Sequence, residues 1–280
     1  MATHLVLIDA LNLIRRIYAV QERPFANMMS SSQLSSSPEL SQNTIDQILN
    51  NTQSACTNAL HKILATLNPT HALAVFDSSE PCWRYDVYPD YKKGRQKMPV
   101  HLEHKLTDIQ DAFMLQYVDS LIPEQDEADD IIATLANKMS SKGKNVTIIS
   151  TDKGFLSLLS PHIKVYDYFH RRYLDKDYVT TKFKVQPSQL KDLWTLTGDS
   201  TNKIPGVPTI GLKTAALLLQ EHHCLDTLLT SSKIKSSISK KLISHKDDIE
   251  LAKTLLTLKT DIQLGFNLKD IRIQPMNFEK

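Results

Sequence analysis

Short runs of branched apolar residues alternate with longer stretches of helical period over the first two thirds of the chain. Leu5-Val6-Leu7-Ile8 is continuously apolar and predicts a buried strand that ends at Asp9. Leu11 to Val20 follow as a helix carrying the adjacent pair Arg15 and Arg16. After a turn at Asn68-Pro69, Ala72 to Phe76 predict a second strand ending at Asp77. A helix from Leu102 to Tyr117 comes next. Ala128, Ile131, Ile132, Leu135 and Met139 then recur at helical spacing and define one face of another helix. Val146 to Thr151 form a third strand ending at Asp152, and Phe155, Leu158 and Leu159 begin the helix after it. Val165 to Tyr168 are a fourth strand, with Arg171 and Arg172 in the turn beyond. Strands alternating with helices predict an α/β fold with a doubly wound, mostly parallel sheet. From about Tyr178 the pattern is purely helical, which divides the chain into an α/β region, 1–177, and a helical region, 178–280. In the helical region Leu193 to Thr197 end a helix at Gly198, and Ile204 to Gly211 form a tight connector. Lys213 to Leu219 start the next helix, and Leu251 to Leu258 form a late one. Residues 27–54 interrupt the pattern. Their Ser-rich first part reads as a flexible surface insertion to about Ser41, with helix resuming through Ile45, Ile48 and Leu49.

Composition changes this picture little. The chain has 280 residues, 41% hydrophobic and 23% charged, an ordinary globular balance. With a formal net charge of only +2, an anionic partner must be met by local basic patches. Cys56, Cys82 and Cys224 are odd in number and lack CxxC pairing, which argues against a disulfide framework and structural zinc. Residues 1–20 lack the shape of a signal peptide, and no stretch reaches the roughly 18 apolar residues of a membrane span. The expectation is a cytoplasmic bacterial protein without a membrane partner.

Chemistry gathers on carboxylates. Five of the seven residues Glu124 to Asp130 are acidic, and they open the helix that begins near Ala128. Acids in a first turn suit the helix dipole. That accounts for one or two of them, but less well for Glu127, Asp129 and Asp130 together, since adjacent like charges repel. On an ideal helix Glu127 and Asp130 border one side of the apolar face and Asp129 the other. A strand-end aspartate is commonly a helix cap. Three of them, Asp9, Asp77 and Asp152, crowd the same rim of the sheet, where ligands of open α/β sheets bind. An oxygen-only donor set without Cys or His points to a hard ion, Mg²⁺ or Mn²⁺, and to phosphoryl chemistry. The segment 83–97 alternates aromatics with cations. Tyr85, Tyr88 and Tyr91 are candidates to stack on bases, with Arg84, Lys92, Arg95 and Lys97 on phosphates. Gly206-x4-Gly211-x-Lys213-Thr214 differs from a nucleotide-binding loop, because Lys213 is displaced by one residue and the stretch follows a helix. Two helices joined by a Gly-rich hairpin can instead cradle phosphate with backbone N–H groups and a helix N-terminus, or form a plain packing corner.

Taken together, these motifs resemble the 5′ nuclease family, which includes bacterial flap endonucleases and the 5′–3′ exonuclease domain of DNA polymerase I. The matching residues, in order, are Leu7-Ile8-Asp9; Val75-Phe76-Asp77 with Arg84, then Tyr88-Pro89-x-Tyr91-Lys92-x-x-Arg95; Glu127-Ala128-Asp129-Asp130; Ser150-Thr151-Asp152-Lys153; and Gly198-Asp199-Ser200 leading to Ile204-Pro205-Gly206-Val207-x-x-Ile210-Gly211-x-Lys213-Thr214-Ala215. The opening Asp9 to Arg16 resembles the short, polymerase-free branch. The resemblance implies a PIN-like fold with a helical arch at 83–105 and a C-terminal helix-hairpin-helix. It implies an Mg²⁺-dependent enzyme that cuts 5′ flaps of branched DNA at the junction with duplex, and a monomer. It puts Asp129, the surest ligand, with Asp9, Asp77, Glu127 and Asp130 around a first Mg²⁺, for which Mn²⁺ can substitute. Asp152 and Asp199 fall to a second ion. Lys92, Arg95 and Arg84 become catalytic cations. The carbonyls of Leu196, Thr197, Pro205, Val207 and Ile210 are implied to hold K⁺. Thr209, Ile210, Gly211, Leu212, Lys213 and Thr214, with Tyr91, are implied to meet DNA. Where the family pattern carries two further acids, this chain has Gly154 and Asn202. The second ion is therefore expected to be weak, with Lys203 a candidate to replace some of its charge. The rival readings are a structure-specific DNA-binding protein with weakened catalysis and a single-metal ribonuclease.

Overall fold

The computed structural model describes residues 3–31 and 41–274. The chain runs β1 (His4–Asp9), α1 (Ala10–Ser31), α2 (Gln42–Leu67), β2 (His71–Val75), α3 (Trp83–Val87), α4 (Val100–Met114), β3 (Asp119–Leu121), α5 (Ala128–Ser140), β4 (Asn145–Ile149), β5 (Ile163–Asp167) and β6 (Arg172–Tyr173). It then becomes helical: α6 (Lys176–Phe183), α7 (Leu190–Thr197), α8 (Leu212–His222), α9 (Leu225–Thr230), α10 (Ser236–Ser244) and α11 (Lys246–Leu256). β3 and β6 are additional to the four expected strands, Arg172 lies in β6 rather than in a turn, and three further elements differ from expectation. The first helix continues past Pro24 to Ser31, so the Ser-rich stretch begins inside a helix; residues 32–40 lie outside the described residues. After Asp152 comes a 3-10 turn, Lys153–Leu158, in place of an α-helix. Of the expected arch, the structure contains the short α3, a loop over residues 88–99 and the first turn of α4.

The sheet has the order β3-β2-β1-β4-β5-β6, parallel except for the β5–β6 edge pair. Because β1 is covered on both faces, its side chains sort by period two. Leu5 and Leu7 join the core beneath α5, while Val6 and Ile8 join the core beneath α1, α2 and α4. The first of these cores runs without a break into Leu193, Leu196, Ala215, Leu219, Leu228 and Ile249 of the helical region. The helices are therefore packed on the sheet by shared apolar burial. A third cluster, Cys82, Tyr91, Ile204, Ala252 and Leu255, fastens the loop after β2 to the helical region. The boundary expected after residue 177 falls inside α6.

The strand order fixes where a ligand can bind. From β1 the chain crosses to β2 on one side, and β4 pairs with β1 on the other. Connections thus leave in opposite directions at β1 and open a crevice at the strands' carboxyl ends. Asp9 closes β1 there, and Ser150 to Asp152 follow β4.

Candidate active site

The crevice brings four of the expected acids together. Asp9 is buried and accepts hydrogen bonds from Ser150 Oγ at 2.7 Å and from the Asn12 backbone N–H at 3.3 Å. Asn12 also ties the crevice to β4, since its Oδ1 accepts from Thr151 N and Oγ1 at 3.2 and 3.0 Å. Asp77 accepts from the Ala128 backbone N–H at 3.1 Å, so it lies at the mouth of α5. Asp152 caps the 3-10 turn through Gly154 N. Asp129, half-buried in the first turn of α5, interacts electrostatically with Asp152, Asp9, Asp77 and Glu127. Burial is the largest cause raising the Asp129 carboxyl above the ordinary aspartate range, and those four charges push the same way. Asp9 is raised to about 7, first by burial and then by Asp77 and Asp152, against the hydrogen bond from Ser150. Two raised carboxyls, Asp9 and Asp129, beside further acids are a pattern found at functional sites. Among the described residues no three of these groups close on one point as ligands of a single ion would. The acids instead form a hard, oxygen-only field suited to a divalent ion.

The neighbouring acids of the same helix mouth do something else. Asp130 is fully buried and turned away from the crevice. It accepts from Arg84 at 2.6 and 2.9 Å, from Trp83 Nε1 at 3.1 Å and from the Lys259 backbone N–H at 2.9 Å. Arg84, only 2% exposed, completes its donor set on Glu127 at 3.0 Å and on the carbonyls of Leu255 and Thr257. Five hydrogen bonds use all five guanidinium N–H groups, and none faces the crevice. Bonds and charge from Arg84 outweigh burial and hold the Asp130 carboxyl below its ordinary range. Asp130, expected as a metal ligand, and Arg84, expected as a catalytic cation, are paired with each other in this structure, where the pair clamps α3, α5 and the segment after α11 together. Tyr91, expected to meet DNA, is 4% exposed here, with its hydroxyl donating to Glu127 at 3.1 Å. Tyr85 and Tyr88 pack against the same cluster, which leaves no free base-stacking ladder in this segment.

Glu127 lies between the two environments. Arg84 and Tyr91 occupy its Oε2, and Lys92 Nζ approaches its Oε1 at 2.5 Å. Lys92 is thereby held at the border of the cluster, where Asp77 and Asp129 also act on it. Its backbone has φ 54°, an unusual left-handed conformation for lysine, and its N–H donates to the Asn202 carbonyl at 2.9 Å. Arg95 lies one turn further, with its charge against Arg15. Arg15 senses Asp77 and donates to the Gln96 carbonyl at 2.8 Å, tying α1 to the loop. Ser150, Asn12 and Arg15 join the site with no role assigned from the sequence; their signal there is closeness in the chain to Asp152 and Asp9. Asp199 stands apart from the cluster. It accepts from Thr201 N at 3.0 Å and Asn202 Nδ2 at 3.1 Å, and Lys153 lies 3.6 Å from its Oδ1. Lys153, rather than Lys203, is thus the lysine paired with it.

In the hairpin, Gly198 and Gly206 nearly touch: a Cβ on Gly206 would sit 2.3 Å from Gly198 N. The Leu196 carbonyl accepts from Val207 N and the Val207 carbonyl from Ile210 N, at 2.9 and 3.0 Å. Thr209, Gly211, Leu212 and Lys213 are exposed, whereas the Ile210 side chain is buried.

Residues 4–184 match the family model of the 5′-3′ exonuclease N-terminal resolvase-like domain, and residues 185–279 match the 5′-3′ exonuclease C-terminal SAM fold. The chain belongs to the 5′-3′ exonuclease family. A curated relative, flap endonuclease Xni of Colwellia psychrerythraea, is 60% identical over 98% of this chain and 93% of its own length. Two solved structures share the fold. The zinc-bound T5 5′-exonuclease matches at TM-score 0.71 and 18% identity, over 92% of this chain and 90% of that one. The bacteriophage T5 flap endonuclease, in a pseudo-enzyme–product complex with DNA and metal ions, matches at TM-score 0.68 and 19% identity over the same shares. Membership of the 5′-3′ exonuclease family accords with the PIN-like sheet and the helical second region found here. A Cβ added at Gly154 would lie 3.1 Å from Asp152 Oδ1, a tight approach to the side chain that accepts from the Gly154 N–H.

Proposed function

We propose that this chain is a metal-dependent 5′ flap endonuclease acting on branched DNA, with Mg²⁺ as its ion and Mn²⁺ able to substitute. The observation that carries the reading is the gathering of Asp9, Asp77, Asp129 and Asp152 at the sheet's switch point, bordered by Lys92. Asp129, Asp9, Asp77 and Asp152 would hold the ion, with Glu127 facing them across Lys92. The ion, when bound, supplies an acidified water and neutralises charge building on the phosphate. The remaining work falls to the chain's own groups. Ser150 and Asn12 fix the orientation of Asp9, and the N-terminal N–H of α5 fixes Asp77. Lys92 and Arg95 offset charge on the scissile phosphate, with Glu127 keeping the Lys92 ammonium charged and in place. Arg15 holds the loop that carries both.

A second ion binds weakly under this reading. Asp199 is already engaged by an amide, a backbone N–H and an ammonium, and Gly154 and Asn202 add no charge. The hairpin grips duplex through the exposed Thr209, Gly211, Leu212 and Lys213 and the half-buried Thr214, with Ile210 contributing its backbone alone. The carbonyls of Leu196, Thr197, Pro205, Val207 and Ile210 are its K⁺ ligands, a role supported by the glycine contact that lets the two strands of the hairpin approach. The enzyme works as a cytoplasmic monomer. Cleavage of matched DNA and RNA flaps under Mg²⁺ titration, in K⁺ and in Na⁺, tests this reading. Junction cutting of the DNA flap that strengthens in K⁺ supports it. Equal or better cutting of the RNA flap would replace it with a ribonuclease.

A further inference from the structure

The structure joins the hairpin to a second basic element. Thr209, a β-branched residue at the hairpin tip, has φ 68°, a conformation costly for its side-chain type. Its Oγ1 accepts from Lys241 Nζ of α10, which pins the tip to that helix. Helix α10 belongs to a stretch, Ser231 to Lys246, with five lysines, six serines and no acid. Set against a net charge of +2 for the whole chain, five lysines with no acid make a strong local positive field. Lys246 pairs with Glu250 at 3.6 Å. Lys233, Lys235, Lys240 and Lys241 have no carboxylate partner among the described residues and are exposed. Ile238 and Leu242 pack α10 inward, so Ser237, Lys240, Lys241 and Ser244 face solvent.

We propose that Lys241 and the exposed lysines around α10 form a second phosphate-binding surface, continuous with the hairpin, that extends the grip along the duplex backbone. Lys241 uses one N–H to hold the Thr209 tip and offers the other two to a phosphate oxygen. The neighbouring lysines and serines supply charge and hydroxyl donors that read backbone and not sequence. The surface recognises the DNA duplex and rests on the flap-endonuclease reading above.

The test is equilibrium binding of a 5′-flap duplex as a function of KCl, in an Asp129→Asn background that leaves the DNA intact. Each phosphate contact contributes about 0.9 to the slope of log K against log salt. Lys241→Gln should lower the slope by roughly that amount, and Lys241→Arg should retain it. Lys233, Lys235, Lys240 and Lys241 changed together to Gln should lower it by about 1.8 or more, the worth of at least two contacts, and weaken binding at least tenfold at ~0.1 M salt. A quadruple variant that melts like its parent and binds with the same slope and affinity would overturn this surface while leaving the flap-endonuclease reading standing. A parent protein with no affinity for the duplex would overturn both.

Discussion

Asp129 and Asp130 are consecutive residues in the first turn of one helix, and they live in opposite electrostatic worlds. Asp129 faces Asp9, Asp77 and Asp152 with no guanidinium or ammonium bonded to it, and its carboxyl is raised. Asp130 is locked on both oxygens by Arg84, and its carboxyl is lowered. A helix turn sends neighbours about 100° apart, so one acidic run serves two environments. The number of acids at a helix mouth therefore says less about a metal site than which of them has been given a cation by the fold.

The largest effects expected separate these two acids. Asp129→Asn should reduce flap cleavage on the order of 10³-fold or more, because it strips charge from the ion's ligand set. The same change relieves repulsion, so its melting temperature in EDTA should equal or exceed that of the parent, read by calorimetry. Asp130→Ala should cost about 3–5 kcal/mol of stability by stripping two of the five bonds from the buried Arg84, which keeps Glu127 as its one charged partner. Replacing both as Arg84→Met with Asp130→Leu should recover most of that loss in denaturant titrations. A double variant as unstable as Asp130→Ala would show that the clamp acts through more than charge.

Acidity sharpens the same contrast more gently. Asp9 titrates at about 7 in the folded protein against 3.8 ordinarily, so the folded state binds its proton more tightly than the unfolded chain. Its contribution is present below pH ~4 and lost as pH rises through about 7, and Asp129 shifts in the same direction. Asp130 works oppositely, stabilising above its ordinary value and losing that only in acid. In EDTA the melting temperature should therefore fall between pH 5 and pH 8, on the order of 5 °C. Adding Mg²⁺ at pH 8 should reverse the fall. A curve that rises over this range without metal would remove the crowded-acid picture.

Much of this was legible in the sequence, and the failures share a cause. The period of Leu5 to Ile8 and the repeats at Ala72 and Val146 define the sheet, because strands buried on both faces must be continuously apolar. Asp9, Asp77, Asp129 and Asp152 could be singled out because strand ends and helix mouths converge at a switch point. The partners of Arg84, Asp130 and Tyr91 were not legible because partnership is tertiary. The carbonyls that saturate Arg84 come from Leu255 and Thr257, 171 and 173 residues away. An alternation of aromatics and cations looks the same whether it faces DNA or folds over a third core. Asp199 shows the converse. Its sequence neighbour Asn202 announced the missing charge, but the Lys153 that lies against it is visible only in three dimensions. The smallest expected effect follows from that pair. Asn202→Asp should lower the Mg²⁺ midpoint for cleavage several-fold by returning one charge to the site. An unchanged midpoint would mean that Asp199 takes no part in metal binding.

The most direct test places both acids on one substrate. A labelled 5′-flap duplex is incubated across an Mg²⁺ series with the parent, with Asp129→Asn and with the Arg84→Met, Asp130→Leu double variant. The account predicts junction cutting by the parent and, within tenfold, by the double variant, and none by Asp129→Asn. Cutting that survives in Asp129→Asn, or that vanishes in a folded double variant, would contradict the division of roles at the mouth of α5.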